Sequence, residues 1–85
     1  MTEKVEFTTY AESQIQERDI KREDVLNTVR FPGQILPAKK GRKVAQKIIE
    51  RNGQKGLLRV IFEEKVNAKV VITVYWTSKI KKYWR

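Results

Sequence analysis

The side chains with which this sequence could do chemistry are cations and tyrosines, because its 85 residues include no histidine and no cysteine. An imidazole general base, a thiolate nucleophile, a disulfide and a cysteine metal site are therefore all excluded. Arginine and lysine can bind phosphate oxygens, while tyrosine can stack on a base or exchange a proton. The candidates by position are Arg59, Lys47, Arg51, Tyr75 and Tyr83.

The net charge of +9 is concentrated in the second part of the chain. Residues 1–30 contain seven acids and five bases, a balance of −2, whereas residues 31–85 contain three acids and fourteen bases, a balance of +11. This asymmetry indicates a polyanionic partner, most simply nucleic acid, although a solvated surface is the plainer alternative. A membrane partner is disfavoured, because the bases lie among strands rather than along an amphipathic helix.

Metal chemistry and membrane insertion are not expected. Glu50, Glu63 and Glu64 are the only acids after residue 30, and Glu63 and Glu64 would point to opposite faces of one strand. We therefore expect no metal and no cofactor. The first six residues lack the apolar region of a signal peptide, and the apolar stretch Val70–Trp76 is too short for a membrane span. A cytoplasmic location is expected by default.

The elements that must position these residues begin with two short helices. Thr9-Tyr10-Ala11-Glu12 has the pattern of a capping box that would begin the first helix, and Ala11 and Ile15 share its apolar face. A second helical pattern begins at Ile20, and Phe31-Pro32-Gly33 ends it because the residue before proline leaves the helical region.

From Gln34 onward the apolar period changes to two, which predicts strands. A short edge strand before Pro37 is followed by a tight Asn52-Gly53 hairpin and by longer strands at Lys43–Arg51, Gly56–Glu63 and Lys69–Thr77. We therefore expect a single α+β domain over residues 1–85. Its two N-terminal helices would pack on one face of a three- to four-stranded antiparallel sheet.

Alternation along the long strands assigns side chains to two sheet faces. The face under the helices is expected to hold Val44, Gln46, Ile48, Leu58, Val60, Phe62, Val70, Ile72, Val74 and Trp76. The opposite face would then present Lys47, Arg51, Arg59, Thr73 and Tyr75. Such a face could hold single-stranded RNA, with cations on phosphates and a ring on a base. A solvated face with cross-strand ion pairs is the alternative.

Further phosphate contacts are expected from Lys43 and from the C-terminal tail, where bases alternate with Tyr83 and Trp84. The basic tail residues are Lys79, Lys81, Lys82 and Arg85. Cations interleaved with aromatic rings suit backbone contact and base stacking. The alternative is a terminal strand or strap whose rings only pack on the body of the domain.

These residues also resemble a known family. The stretch Tyr10–Ile20, followed by Glu23-Asp24-Val25, resembles the opening of the DUF4258 family, and Leu58-Arg59-Val60 and Val71–Tyr75 resemble its later strands. The family is grouped by fold with RelE/BrnT-like toxins of toxin–antitoxin pairs, which cleave RNA. The resemblance implies two helices on a curved antiparallel sheet. Where that opening usually has His, Arg and Gly, this chain has Tyr10, Gln14 and Asp19, respectively.

Three functions follow from these expectations. The first is a metal-independent endoribonuclease, in which Arg59, Lys47 and Arg51 stabilise charge and Tyr75 or Tyr83 moves a proton. Arg18 would join this site or brace the first helix. The second is a nucleic-acid-binding module that uses the same face without chemistry. The third is an interaction domain whose basic face is covered by an acidic, antitoxin-like protein.

Overall fold

The computed structural model describes residues 4–85, which form an α+β fold around one five-stranded mixed sheet. The strands are β1 (Lys4–Phe7), β2 (Gln34–Pro37), β3 (Lys43–Arg51), β4 (Gln54–Lys65) and β5 (Ala68–Thr77). The helices are α1 (Thr9–Glu17), α2 (Arg22–Arg30) and a short α3 (Ile80–Tyr83), with a 3-10 turn at Lys39–Gly41. The order of strands across the sheet is β1-β5-β4-β3-β2.

The predicted helices and the four predicted strands are present, but the expectation of three to four purely antiparallel strands is wrong. β2 to β5 pair antiparallel as expected. β1 adds a fifth strand, which runs parallel to β5 from the Lys4–Ala68 pair to the Phe7–Val71 pair. A four-residue strand whose partner lies more than sixty residues away has no turn signal in the sequence that would reveal it.

The first helix begins one residue earlier than its capping box suggested. The Oγ1 atom of Thr8, not that of Thr9, accepts a hydrogen bond from the backbone N of Ala11 at 3.0 Å. The same hydroxyl donates to the carbonyl of Ile72 at 3.3 Å, so contact with β5 favours Thr8 as the cap. At the other end Asp19 has a left-handed φ of 53°, a conformation that glycine adopts at less cost.

The core lies between the two helices and one face of the sheet. Ala11 and Ile15 of α1 and Val25 and Val29 of α2 pack on that face, and its buried members are Leu58, Val60, Val71 and Val74. Each fully buried aliphatic side chain contributes roughly 1.5–3 kcal/mol. The opposite side of the sheet, which we call the open face, carries no helix from the N-terminal third of the chain.

The side chains of β3 lie on the sheet faces opposite to those that alternation suggested. Residues directly opposite each other on antiparallel strands share a face, and Gln46 lies opposite Arg59 whereas Lys47 lies opposite Leu58. Gln46 is therefore on the open face, and Lys47 is on the helix face. The prediction that Lys47 and Arg51 share a face with Arg59 is wrong, because Arg51 follows the same alternation as Lys47.

A β-bulge changes the alternation within β5. Ile61 pairs with Thr73, but the next residue, Phe62, pairs with Val71, so that β5 carries one extra residue at this point. Val71 consequently lies in the core with Val74, whereas alternation placed Val70 and Ile72 there. An alternation count cannot anticipate an inserted residue, so this assignment was out of reach of the sequence.

Candidate functional site

A row of polar side chains crosses the open face, with one residue on each of four neighbouring strands. Gln34 of β2 pairs with Gln46 of β3, Gln46 with Arg59 of β4, and Arg59 with Tyr75 of β5. We call these four residues the polar row. Its neighbours along the strands are largely apolar, so the row is the polar centre of this face.

Gln46 holds the polar row together. Its side chain is completely buried, and its amide Nε2 donates to Gln34 Oε1 at 2.8 Å and to the Tyr83 carbonyl at 3.1 Å. Its Oε1 accepts from the Nε of Arg59 at 3.0 Å. A buried amide is tolerated when its hydrogen bonds are made, and here those bonds fix the orientation of the Arg59 guanidinium.

The Arg59 guanidinium lies beside a pair of tyrosine rings. It is 4.1 Å from the ring centre of Tyr83 and 5.6 Å from that of Tyr75, and the two rings meet edge-to-face with centroids 6.4 Å apart. Its Nη1 donates to the hydroxyl oxygen of Tyr75. Because that oxygen accepts from Arg59, the Tyr75 proton is available to an outside acceptor. Together the two groups form a donor pair suited to a phosphate oxygen.

Tyr83 reaches Arg59 because the C-terminal segment folds back over the open face. Residues 80–85, which we call the strap, are tied to β2 by the Gln34 side chain, whose Nε2 donates to the Arg85 carbonyl at 2.6 Å and whose Oε1 accepts from the Arg85 N at 3.1 Å. Trp84 packs on Gly33, where an added Cβ would lie 2.9 Å from the indole. The tail thus forms a strap that packs on the domain, and its contact with phosphate stays a prediction.

Two cavities lie on either side of Tyr83. The first, which we call the Arg59 cavity, is lined by Leu36, Pro37, Arg59, Lys82, Tyr83 and Arg85. The second, which we call the Arg18 cavity, is lined by Arg18, Arg51, Tyr75, Trp76, Thr77, Lys79 and Tyr83. Each has three cationic side chains and no Asp or Glu side chain among its lining residues, so both are suited to anions.

The structure brings most of the predicted site residues to these cavities. Arg59, Tyr75 and Tyr83 form the centre, Lys82 and Arg85 lie on one side, and Arg51 and Lys79 lie on the other. Three predicted residues are elsewhere: Lys47 on the helix face, Lys43 at the far end of the sheet, and Lys81 exposed on the strap outside both cavities.

Lys43 is engaged by an acidic residue. Its ammonium hydrogen-bonds the Glu64 carboxylate and holds the pKa of Glu64 below its ordinary value, as Arg42 does for the neighbouring Glu63. A cation that is already paired with a carboxylate gains less from a phosphate. Lys43 is thus paired and lies outside both cavities, and its contact with phosphate stays a prediction.

Sequence reasoning missed two members of the polar row, Gln34 and Gln46. The signal for Gln46 was present in the hairpin: equal steps back from the turn at Asn52-Gly53 pair Arg51 with Gln54 and then Gln46 with Arg59. Arg18 braces the first helix, and its part in a site stays a prediction. Its Nη1 donates to the Val74 carbonyl at 2.9 Å, which braces α1 on β5, and its side chain lines a cavity.

Two further findings concern the described part of the chain. Between residues 4 and 85, no group of three or more acidic side chains is placed to hold a metal ion. None of the helices in that range combines the length and apolarity needed to cross a bilayer.

Comparison with known proteins identifies the family. The family model described as "Domain of unknown function (DUF4258)" matches residues 7–76, a stretch that contains α1, α2 and the whole polar row. The comparisons with curated proteins and with solved structures each find no match. Because the matched residues make up most of the chain, it belongs to the DUF4258 family.

Proposed function

We propose that this protein binds single-stranded nucleic acid, and RNA in particular, through the open face of its sheet. The observation that carries the proposal is the Arg59 guanidinium, which lies over the Tyr83 ring and donates a hydrogen bond to the Tyr75 hydroxyl. Arginine beside aromatic rings is a recurrent way to bind a phosphate and stack a neighbouring base.

The electrostatics support binding of an anion at this place. Among the ion pairs of residues 4–85, none involves Arg59, Lys79, Lys82 or Arg85. The Arg59 charge is oriented by a neutral amide and a neutral hydroxyl, which direct it without cancelling it. A cation that is already ordered loses little side-chain entropy when a phosphate binds.

The proposal is tested by fluorescence anisotropy with a labelled RNA of about ten nucleotides. We expect binding at about 50 mM salt that weakens steeply by about 200 mM salt. Arg59→Ala should weaken it by about tenfold or more, and Arg59→Lys should restore only part, because lysine cannot bind a phosphate in the bidentate manner.

The matched control is Lys55→Ala in the β3–β4 hairpin, which removes the same charge four residues from Arg59 and outside both cavities. It should bind within about threefold of the unmodified protein. RNA binding that is absent at low salt, or that Arg59→Ala leaves unchanged, would contradict the proposal. A parallel titration with DNA of the same sequence separates recognition of the 2′-hydroxyl from simple phosphate binding.

A second candidate function is metal-independent RNA cleavage, with the arrangement of the RelE/BrnT-like toxins. It is favoured by one contact: the Tyr75 hydroxyl accepts from Arg59, which leaves a proton beside a cation. The RNA 2′-oxygen would bond to phosphorus while the bond from phosphorus to O5′ breaks. Tyr75 would protonate O5′ and water would take the 2′-hydroxyl proton. Lys47, on the other face, would have no part in it.

Cleavage is tested by following the length of a labelled RNA in the presence of a chelator. The expected products end in a 2′,3′-cyclic phosphate and a free 5′-hydroxyl, and Tyr75→Phe should slow their formation by about 10²-fold or more. RNA that is bound but stays intact would overturn cleavage and leave the binding proposal standing.

A protein partner is compatible with the same surface. Because no Asp or Glu side chain lines either cavity, an acidic antitoxin-like protein could place its own carboxylates there. We propose that this protein is related to the RelE/BrnT-like toxins, pairs with such an acidic protein and is located in the cytoplasm. Competition between RNA and the acidic protein for the open face would support it, and simultaneous binding of both would contradict it.

A further inference from the structure

We infer that the unit recognised by this protein is two consecutive nucleotides, whose adjacent phosphates occupy the Arg59 cavity and the Arg18 cavity on either side of Tyr83. The inference rests on the proposed function and adds how many nucleotides are recognised and where their phosphates lie. It starts from the observation that Tyr83 is the one residue lining both cavities.

The cations of each cavity come from separate parts of the chain. The Arg18 cavity combines the residue after α1, a β3 residue and a residue after β5, namely Arg18, Arg51 and Lys79. The Arg59 cavity combines β4 with two strap residues, Lys82 and Arg85. Like charges repel, so bringing three together at two neighbouring places costs free energy, and a bound anion at each place would relieve it.

The two arginines of the Arg18 cavity are oriented by backbone carbonyls. Arg18 Nη1 donates to the Val74 carbonyl at 2.9 Å, and Arg51 Nη2 donates to the carbonyls of Arg18 and Asp19 at 3.1 and 3.3 Å. Arg51 also lies 5.5 Å from the Trp76 ring. Carbonyl acceptors fix the direction of a guanidinium and leave its net charge in place, as the amide of Gln46 does for Arg59.

Both cavities are open depressions with room for more than a phosphate group. They measure about 380 Å³ and 550 Å³, so a phosphate can enter each while its nucleoside remains partly in solvent. Successive phosphates of a single strand are separated by one nucleoside, and here one tyrosine separates the cavities. A strand that crosses Tyr83 would therefore meet a cationic cavity before and after it.

The test compares ligands of increasing length as competitors against a labelled RNA of about ten nucleotides. The competitors are a nucleoside 5′-monophosphate, a 5′-phosphorylated dinucleotide and a 5′-phosphorylated tetranucleotide. We expect affinity to rise by about tenfold or more from the first to the second, and by less than about threefold from the second to the third. The salt slope should also rise by about 0.7 when the second phosphate is added.

Variants in each cavity locate the two phosphates. Lys79→Ala and Lys82→Ala should each weaken dinucleotide binding by about threefold to tenfold, and the double variant should show the product of the two factors, because the sites are separate. Lys55→Ala is the matched control with the same loss of charge outside both cavities, and it should leave the dinucleotide affinity nearly unchanged.

The outcomes distinguish this inference from the function on which it rests. A monophosphate that competes as well as the dinucleotide, affinity that keeps rising by equal steps with length, or a Lys79→Ala variant with unchanged dinucleotide affinity would overturn the two-phosphate register while RNA binding stands. If no competitor and no labelled RNA binds, both are overturned.

Discussion

Gln46 shows how one buried amide can organise a surface. Its donors and its acceptor are all used, towards Gln34, the strap carbonyl of Tyr83 and the guanidinium of Arg59. Because the side chain is fully buried, water cannot replace a lost partner. The position of Arg59 therefore depends on a residue that would itself never touch a ligand.

Replacing Gln46 with leucine is expected to reduce both stability and binding. Gln46→Leu leaves the Nε of Arg59 and the strap carbonyl of Tyr83 without their partner, which should lower the free energy of unfolding by about 1–3 kcal/mol. Binding of RNA should weaken as well, because Arg59 is no longer held. Urea denaturation and anisotropy measure the two effects, with the exposed Gln54→Leu as control. A Gln46→Leu protein as stable as the control would show that the amide is not a structural bridge.

At the scale of elements, Gly56 of β4 leaves room for the indole of Trp76 on β5. Gly56 lies under the indole of Trp76, whose Nε1 donates to the carbonyl of Ile49 on β3 at 3.0 Å. The ring thus bridges three strands at the end of the sheet from which the Arg18 cavity is built. A glycine is required at position 56 because the Trp76 indole and the Thr77 carbonyl lie so close to it, and not because its φ is unusual.

Gly56→Ala is expected to destabilise the fold. The added Cβ would lie 2.5 Å from Trp76 Cε2 and 2.6 Å from the Thr77 carbonyl oxygen, so backbone as well as side chain must move. Overpacking of this kind costs typically about 1–3 kcal/mol. Urea denaturation followed by tryptophan fluorescence measures the loss, and Lys55→Ala on the exposed neighbour should change stability by less than about 0.5 kcal/mol. Equal stability of the two variants would contradict the packing argument.

The sequence predicted those elements whose signals are local. The period of two, the Asn52-Gly53 turn and Pro32 located the helices and the four antiparallel strands, because each signal lies within the element it defines. β1 and the β5 bulge depend on long-range pairing and have no such signal. The β3 register was recoverable from the hairpin count, which outweighs alternation in a strand where Val44, Ala45 and Gln46 are all buried.

The site was predicted in part for the same reasons. Arg59 and Tyr75 were placed on one face because alternation holds in the regular halves of β4 and β5. Tyr83 was assigned to the site by composition, but its contact with Arg59 depends on how residues 80–85 return over the sheet. Gln34 was missed because its role comes only from cross-strand pairing and from the strap.

At the scale of the whole molecule, the excess positive charge is not spread evenly over the surface. Several cations are paired with carboxylates, among them Arg22 with Glu12 and Arg42 with Glu63. The cations that line the two cavities take part in none of the ion pairs found within residues 4–85. Screening limits exposed charges to a range of about 8–10 Å at moderate salt, so the cavities and not the total charge should decide binding.

Two charge reversals with the same net effect separate local from total charge. Lys82→Glu and Lys55→Glu each lower the net charge from +9 to +7, but only Lys82 lines a cavity. If the cavities decide binding, Lys82→Glu should weaken the affinity for RNA by about tenfold or more at about 150 mM salt, because a carboxylate would face the phosphate beside Arg59. Lys55→Glu should weaken it by less than about threefold and mainly slow association. Equal losses in the two variants would mean that RNA responds to the charge of the whole molecule, and the two cavities would then have no special part in binding.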